Sequence, residues 1–167
     1  MAGLAALPSP SLIAGPAACP EQGVRQAGSS APITGYAPIK EDGLTWREIK
    51  RLQPGIELRA YEQDGSVYQG PTDVVVIFKD RAPTDFRTAH PNAIAVYSRR
   101  RRLAFVILKD MEEWLGLNRT QPQFQIALGR VIAHELEHSK RESHEHDQDG
   151  FFRSRYRQED LLSAGGH

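Results

Sequence analysis

A single cysteine, Cys19, stands in this chain, so no internal disulfide can staple its fold. No run of apolar residues approaches the length of about 18 that a membrane helix needs. Charge of either sign is not in surplus, because 21 Lys and Arg balance 21 Asp and Glu. A dedicated binder of nucleic acid or anionic lipid carries a basic excess, and neither partner is expected here. What is present is an ordinary globular balance, 40% hydrophobic and 25% charged in 167 residues. That is enough for one domain with a buried core and a tail.

The composition is uneven along the chain. Residues 1–42 are rich in Ala, Gly, Pro and Ser without an apolar period, which predicts a flexible tail or a leader. The first twenty are small and apolar, as in a secretory leader. They contain no Lys or Arg, and Pro8, Pro10 and Pro16 interrupt them. A secreted or periplasmic location is expected ahead of a cytoplasmic one. The folded domain is expected over residues 43–162, with 163–167 a short tail.

Within that span the pattern is mixed. Leu44 to Leu52 reads as a short helix, with Thr45 and Glu48 spaced as a capping box. Ile56 to Tyr61 alternates as a strand does, and Asp64-Gly65 is a turn signal. Asp73 to Lys79 is β-branched and aromatic, the mark of a buried strand. Pro83 to Pro91 reads as loop. Ala93 to Ser98 and Leu103 to Leu108 read as a hairpin turned by Arg99 to Arg102, and Lys109 to Leu117 as a short helix. A longer helix is predicted from Pro122 to Ser139, with Phe124, Leu128, Val131 and Ile132 on one face. Arg157 to Leu162 closes the chain as a last helix. The class is α+β: a small twisted mixed sheet, one principal helix against it, and a short C-terminal subdomain.

The long helix carries His134-Glu135-Leu136-Glu137-His138, an HExxH pattern. Side chains four apart stack on one helical face, so two imidazoles can reach one metal ion. They fall at the edge of the apolar face, with Glu135 in the same sector and Glu137 pointing away. Hydrolytic zinc takes three protein ligands and keeps one position for water. Glu135 is placed to accept that water's proton and to return it to the leaving amine. The third ligand must come from the polar stretch that follows, where His144, His146 and Asp147 are candidates. His144 has the metzincin spacing, six beyond His138, but Arg141 stands where metzincins have the glycine of a tight turn.

The run Leu128-Gly-Arg-Val-Ile-Ala-His-Glu-Leu-Glu-His138, then His146-Asp-Gln-Asp-Gly-Phe-Phe and Asp160-Leu161, resembles small metzincin-like zinc peptidase domains of environmental bacteria. The resemblance covers residues 125–162 and implies a zincin-like fold, Zn2+ as cofactor and a peptide or protein substrate. It implies His134, His138 and His146 as metal ligands, with His144 the alternative, and Glu135 as the catalytic residue. Two positions depart from it. Phe152 replaces the methionine of the turn beneath the metal, and Asp147 replaces a serine after the third ligand. Asp147 could orient His146 or compete for the ion. The resemblance also implies that a strand ahead of the active helix pairs with extended substrate, from Ala93–Ser98 or Leu103–Leu108. Tyr156 is expected as a packed aromatic, with stabilisation of an oxyanion as its alternative role. The expected protein is a monomeric zinc peptidase. The other classes are a non-catalytic zinc-binding or regulatory protein and a hydrolase of non-peptide amides.

Overall fold

A computed structural model describes residues 33–62, 73–141, 145–147 and 156–163. The expected leader, Cys19, the Asp64-Gly65 turn, His144, Gly150, Phe152 and residues 164–167 lie outside the described residues.

The fold begins earlier than the composition predicts. Strand β1, Thr34–Ala37, lies inside the stretch expected to be tail, yet it occupies an interior place in the sheet. It is only four residues long and includes Gly35, which offers little β propensity to read. Helix α1, Leu44–Leu52, follows and returns the chain to β2, Glu57–Ala60, parallel to β1. Strand β3, Val74–Lys79, pairs with the other side of β1, again in parallel. The loop expected over Pro83 to Pro91 instead contains a short helix, α2, Thr84–Ala89, which buries none of its residues fully. With no apolar face, it left no period to detect.

The hairpin is as expected. Strands β4, Ala95–Ser98, and β5, Leu103–Ile107, pair antiparallel across the arginine turn. Arg102 there takes a positive φ of 49° and donates from Nε to the carbonyl of Asp73, 3.1 Å away. The sheet order is β2-β1-β3-β5-β4, so β5 is paired on both sides, by β3 and β4. A substrate strand cannot add to β5, which removes one of the two expected positions. β4 ends the sheet among the described residues. Helix α3, Leu108–Leu115, stops at Gly116, whose φ of 66° suits glycine. The principal helix α4 runs Pro122–Arg141, and α5 spans Gln158–Leu162. No helix among the described residues is long and apolar enough to cross a membrane.

Two glycines let α4 sit close to its neighbours. A Cβ on Gly129 would stand 2.8 Å from Glu48 Cβ and 2.9 Å from the Thr45 carbonyl of α1. One on Gly35 would stand 3.2 Å from Leu136, so the HExxH segment lies directly over β1. The α1–α4 contact also revises the expected capping box. Thr45 is inside α1, and its hydroxyl donates to the Gln125 carbonyl at 3.0 Å. Glu48 accepts from Arg51 at 2.8 and 2.9 Å and from buried Arg130 at 2.7 Å. The Arg130 guanidinium continues to the carbonyls of Asp160 and Ser163, at 2.8 and 2.7 Å. One side chain thus joins α1, α4 and the C-terminal segment.

Arg51, by hydrogen bonding, and then Arg130 hold the Glu48 carboxyl below its usual range against the opposing effect of burial. A carboxyl depressed in the folded state contributes stability above its unfolded pKa, about 4.3 for glutamate, and loses it as the pH falls. Glu48→Gln is expected to cost about 2–3 kcal/mol at neutral pH, short of the 3–5 kcal/mol for breaking a wholly buried pair. Denaturant unfolding between pH 6 and pH 3 should show the gap between wild type and variant closing toward acid. A gap that is constant across that range would rule out the ionic contribution.

Candidate metal centre

Helix α4 is buried nearly all round, from Phe124 through Ser139, apart from Gln125 and Ile126. The sheet lies on one side and α1 and α5 on others, which is why its apolar face is broader than a single stripe. Such a helix must pair any polar group it carries, or keep it for a ligand. The two glutamates of the motif divide along that line. Glu137 accepts from Gln53 Nε2 at 2.7 Å and from Arg141 Nε at 2.8 Å. Burial pushes its carboxyl up, but the hydrogen bonds from Arg141 and Gln53 outweigh this and hold it below the usual range. It points away from the histidines as expected, yet into the α1 contact rather than into solvent. Glu135 is wholly buried, and neither carboxylate oxygen has a hydrogen-bond partner among the described residues. Desolvation alone pushes its pKa up to about 8.

Three of the expected ligands come together. His134 and His138 present their rings from successive turns, with centroids 5.0 Å apart and planes at 79°. His146 returns to them, 5.2 Å from His134 and 4.7 Å from His138 by ring centroid. One ligand nitrogen from each lies within 4.8 Å of the others, and this trio can hold a metal ion. Tetrahedral coordination with metal–nitrogen bonds of about 2.0–2.1 Å separates its nitrogens by roughly 3.4 Å. A contraction of no more than roughly 1.4 Å would therefore close the rings on an ion. The donor set is also apt, since three neutral imidazoles suit zinc and its neighbours. Glu135, adjacent to His134 in sequence, is a buried carboxylate without a hydrogen bond from the described residues, a group whose charged form a nearby cation would favour. The residues fit a metal.

The surroundings fix the rings. Tyr97 of β4 lies parallel to His138, with centroids 6.4 Å apart and planes within 5°. Tyr156 stands across from His134, its hydroxyl 3.0 Å from Nδ1. Nε2 is then the nitrogen through which His134 would coordinate. The end of the helix is tied to the hairpin by Arg102, which donates to Ser139 Oγ at 3.2 Å. Asp147, expected as an aid to His146 or a rival for the ion, is outside the converging trio and is held by Arg141. Both its oxygens accept from Arg141, at 2.8 and 3.1 Å. Arg141 itself is still helical. Where a metzincin glycine would turn the chain, this helix continues and uses that residue to hold the carboxylate next to His146.

No protein-family model, no curated protein and no solved structure matches this chain. The sequence reading did not find the Tyr156 contact or the pairing of Glu137 with Gln53. A signal for the first was available: a buried imidazole that coordinates through one nitrogen requires a partner for the other. The second joins residues 84 apart and left no local trace.

Proposed function

We propose that this chain is a zinc-dependent peptidase on a metzincin-like fold, with His134, His138 and His146 holding the metal. One contrast carries the reading. Glu137 is satisfied by two partners, whereas Glu135, next to His134 in the chain, is wholly buried without a hydrogen bond from the described residues. Buried carboxylates are as a rule hydrogen-bonded, and one that is desolvated without a partner marks a functional-site candidate. Bound zinc supplies Lewis acidity, polarising a carbonyl and bringing the pKa of water from 15.7 toward about 7. Glu135 takes the proton of the attacking water and passes it to the amine that leaves. The histidines hold position, with Tyr97 and Tyr156 against two of them.

The substrate is an extended peptide in this reading. β4 closes the sheet among the described residues, and its Tyr97 faces His138. A peptide added to that edge would pass beside the metal, with backbone hydrogen bonds providing affinity. A second reading is favoured by burial: the side chains of His134 and Glu135 have no exposure. A closed site suits a metal held for stability or regulation.

Purified protein is expected to carry about one zinc per chain, and a peptide library should be cleaved by it. Treatment with a chelator should stop cleavage, and added zinc should restore it. Cleavage that survives chelation would defeat the proposal, and zinc held without any cleavage would select the second reading.

A further inference from the structure

We infer that Tyr156 is a positioning residue for the metal centre, its hydroxyl accepting the Nδ1 proton of His134 and so turning Nε2 toward the ion. The inference rests on the metal site proposed above and assigns a role to a residue outside the HExxH motif.

The hydroxyl lies 3.0 Å from His134 Nδ1, and the two rings meet edge-on, with centroids 5.4 Å apart and planes at 80°. Both residues are buried, so the contact has little competition from water. A neutral imidazole carries one N–H, and the partner of the first nitrogen decides which nitrogen keeps a lone pair. A hydroxyl can accept from Nδ1–H, and then Nε2 is the ligand. A phenylalanine would pack there equally well and accept nothing. The hydroxyl is the part of the side chain with a consequence for the metal.

The placement of Tyr156 has its own support. Arg130 lies one helical turn before His134, and its guanidinium grips the carbonyls of Asp160 and Ser163. Side chains four apart share a face of α4. That face therefore holds the C-terminal segment at two points, through Arg130 and through the His134–Tyr156 contact. Leu161, between the two carbonyls that Arg130 grips, is buried in the core. The segment 156–163 acts as a strap: packing and Arg130 set its position, and the strap presents one hydroxyl to one ligand.

Tyr156→Phe tests this with readouts that do not depend on turnover. In the metal-free protein, nitrogen-15 NMR should find His134 as the Nδ1–H tautomer in the wild type and a mixture in the variant. Chelator competition with Zn2+ should show affinity weakened by about 10- to 100-fold, as for other partners of metal-bound histidines. The Co2+ absorption spectrum should shift, while cooperative unfolding is retained. A role in packing alone would move neither tautomer nor affinity. A wild-type His134 protonated at Nε2 would overturn the inference without recourse to the variant. Equal zinc affinity in both proteins would also overturn it and leave the metal centre standing. A wild type that binds neither ion would remove the centre and this inference together.

Discussion

Glu135→Gln is expected to lower peptide hydrolysis by about 10²- to 10⁴-fold, the usual contribution of a positioned acid–base group. Zinc content should be unchanged. Glutamine has nearly the volume of glutamate, so the packing around a wholly buried side chain survives the exchange. It cannot accept a proton from water. The three imidazoles come from other positions, and none depends on Glu135 for a hydrogen bond, since neither Glu135 oxygen has a partner among the described residues. The corresponding change at Glu137 separates motif chemistry from helix packing. Glu137→Gln weakens the contacts to Gln53 and Arg141 and should cost stability rather than turnover. If Glu135→Gln cleaves at the wild-type rate, the general base is elsewhere and the peptidase mechanism fails.

The division between what the sequence revealed and what it hid follows the range of the interactions. Periodicity and spacing are local, and they placed the HExxH residues on a helix whose core face is Phe124, Leu128, Val131 and Ile132. The β4–β5 hairpin and the short helix α3 were legible for the same reason, because both are set by neighbouring residues. β1 was not legible. Thr34-Gly-Tyr-Ala37 has no alternation long enough to count, and its place in the sheet comes from β2 and β3 on either side. A short strand between two partners takes its stability from them. α2 failed from the other direction, being a helix of six residues with no buried face.

At the site, identity was local and partnership was not. The pair His134 and His138 could be read from a four-residue spacing. Helical phase separates Glu135 from Glu137 in the sequence, but the partners that satisfy Glu137 were not legible: Gln53 lies 84 residues before it, and Arg141 is the last residue of the helix. Asp147 shows the same limit. Its neighbour is His146, but its partner is Arg141, six residues back. An ionised side chain goes to the strongest available donor, and a bidentate guanidinium outcompetes an adjacent imidazole.

His146→Ala is expected to weaken zinc binding by about two to three orders of magnitude, while His144→Ala should leave it nearly unchanged. In structural zinc sites four ligands share roughly 10–16 kcal/mol of apparent binding energy, or about 2.5–4 kcal/mol each. Each 1.4 kcal/mol is about tenfold in affinity. His146 is the only residue of the trio that is not on α4, so its loss leaves a two-histidine site on one helix. Such a site has no second element to enclose the ion. The loss should also appear in stability. A ligand that binds only the folded chain raises its unfolding free energy by RT ln(1 + [L]/Kd), so weaker binding shrinks the thermal shift on adding zinc. At a fixed zinc concentration well above both dissociation constants, a hundredfold weaker site forfeits about 2.7 kcal/mol of that gain. His144 and His146 are two residues apart and carry the same side chain, which makes His144→Ala a matched control. If His144→Ala empties the site while His146→Ala leaves it filled, the returning ligand is His144 and the convergence of His146 on the helix is incidental.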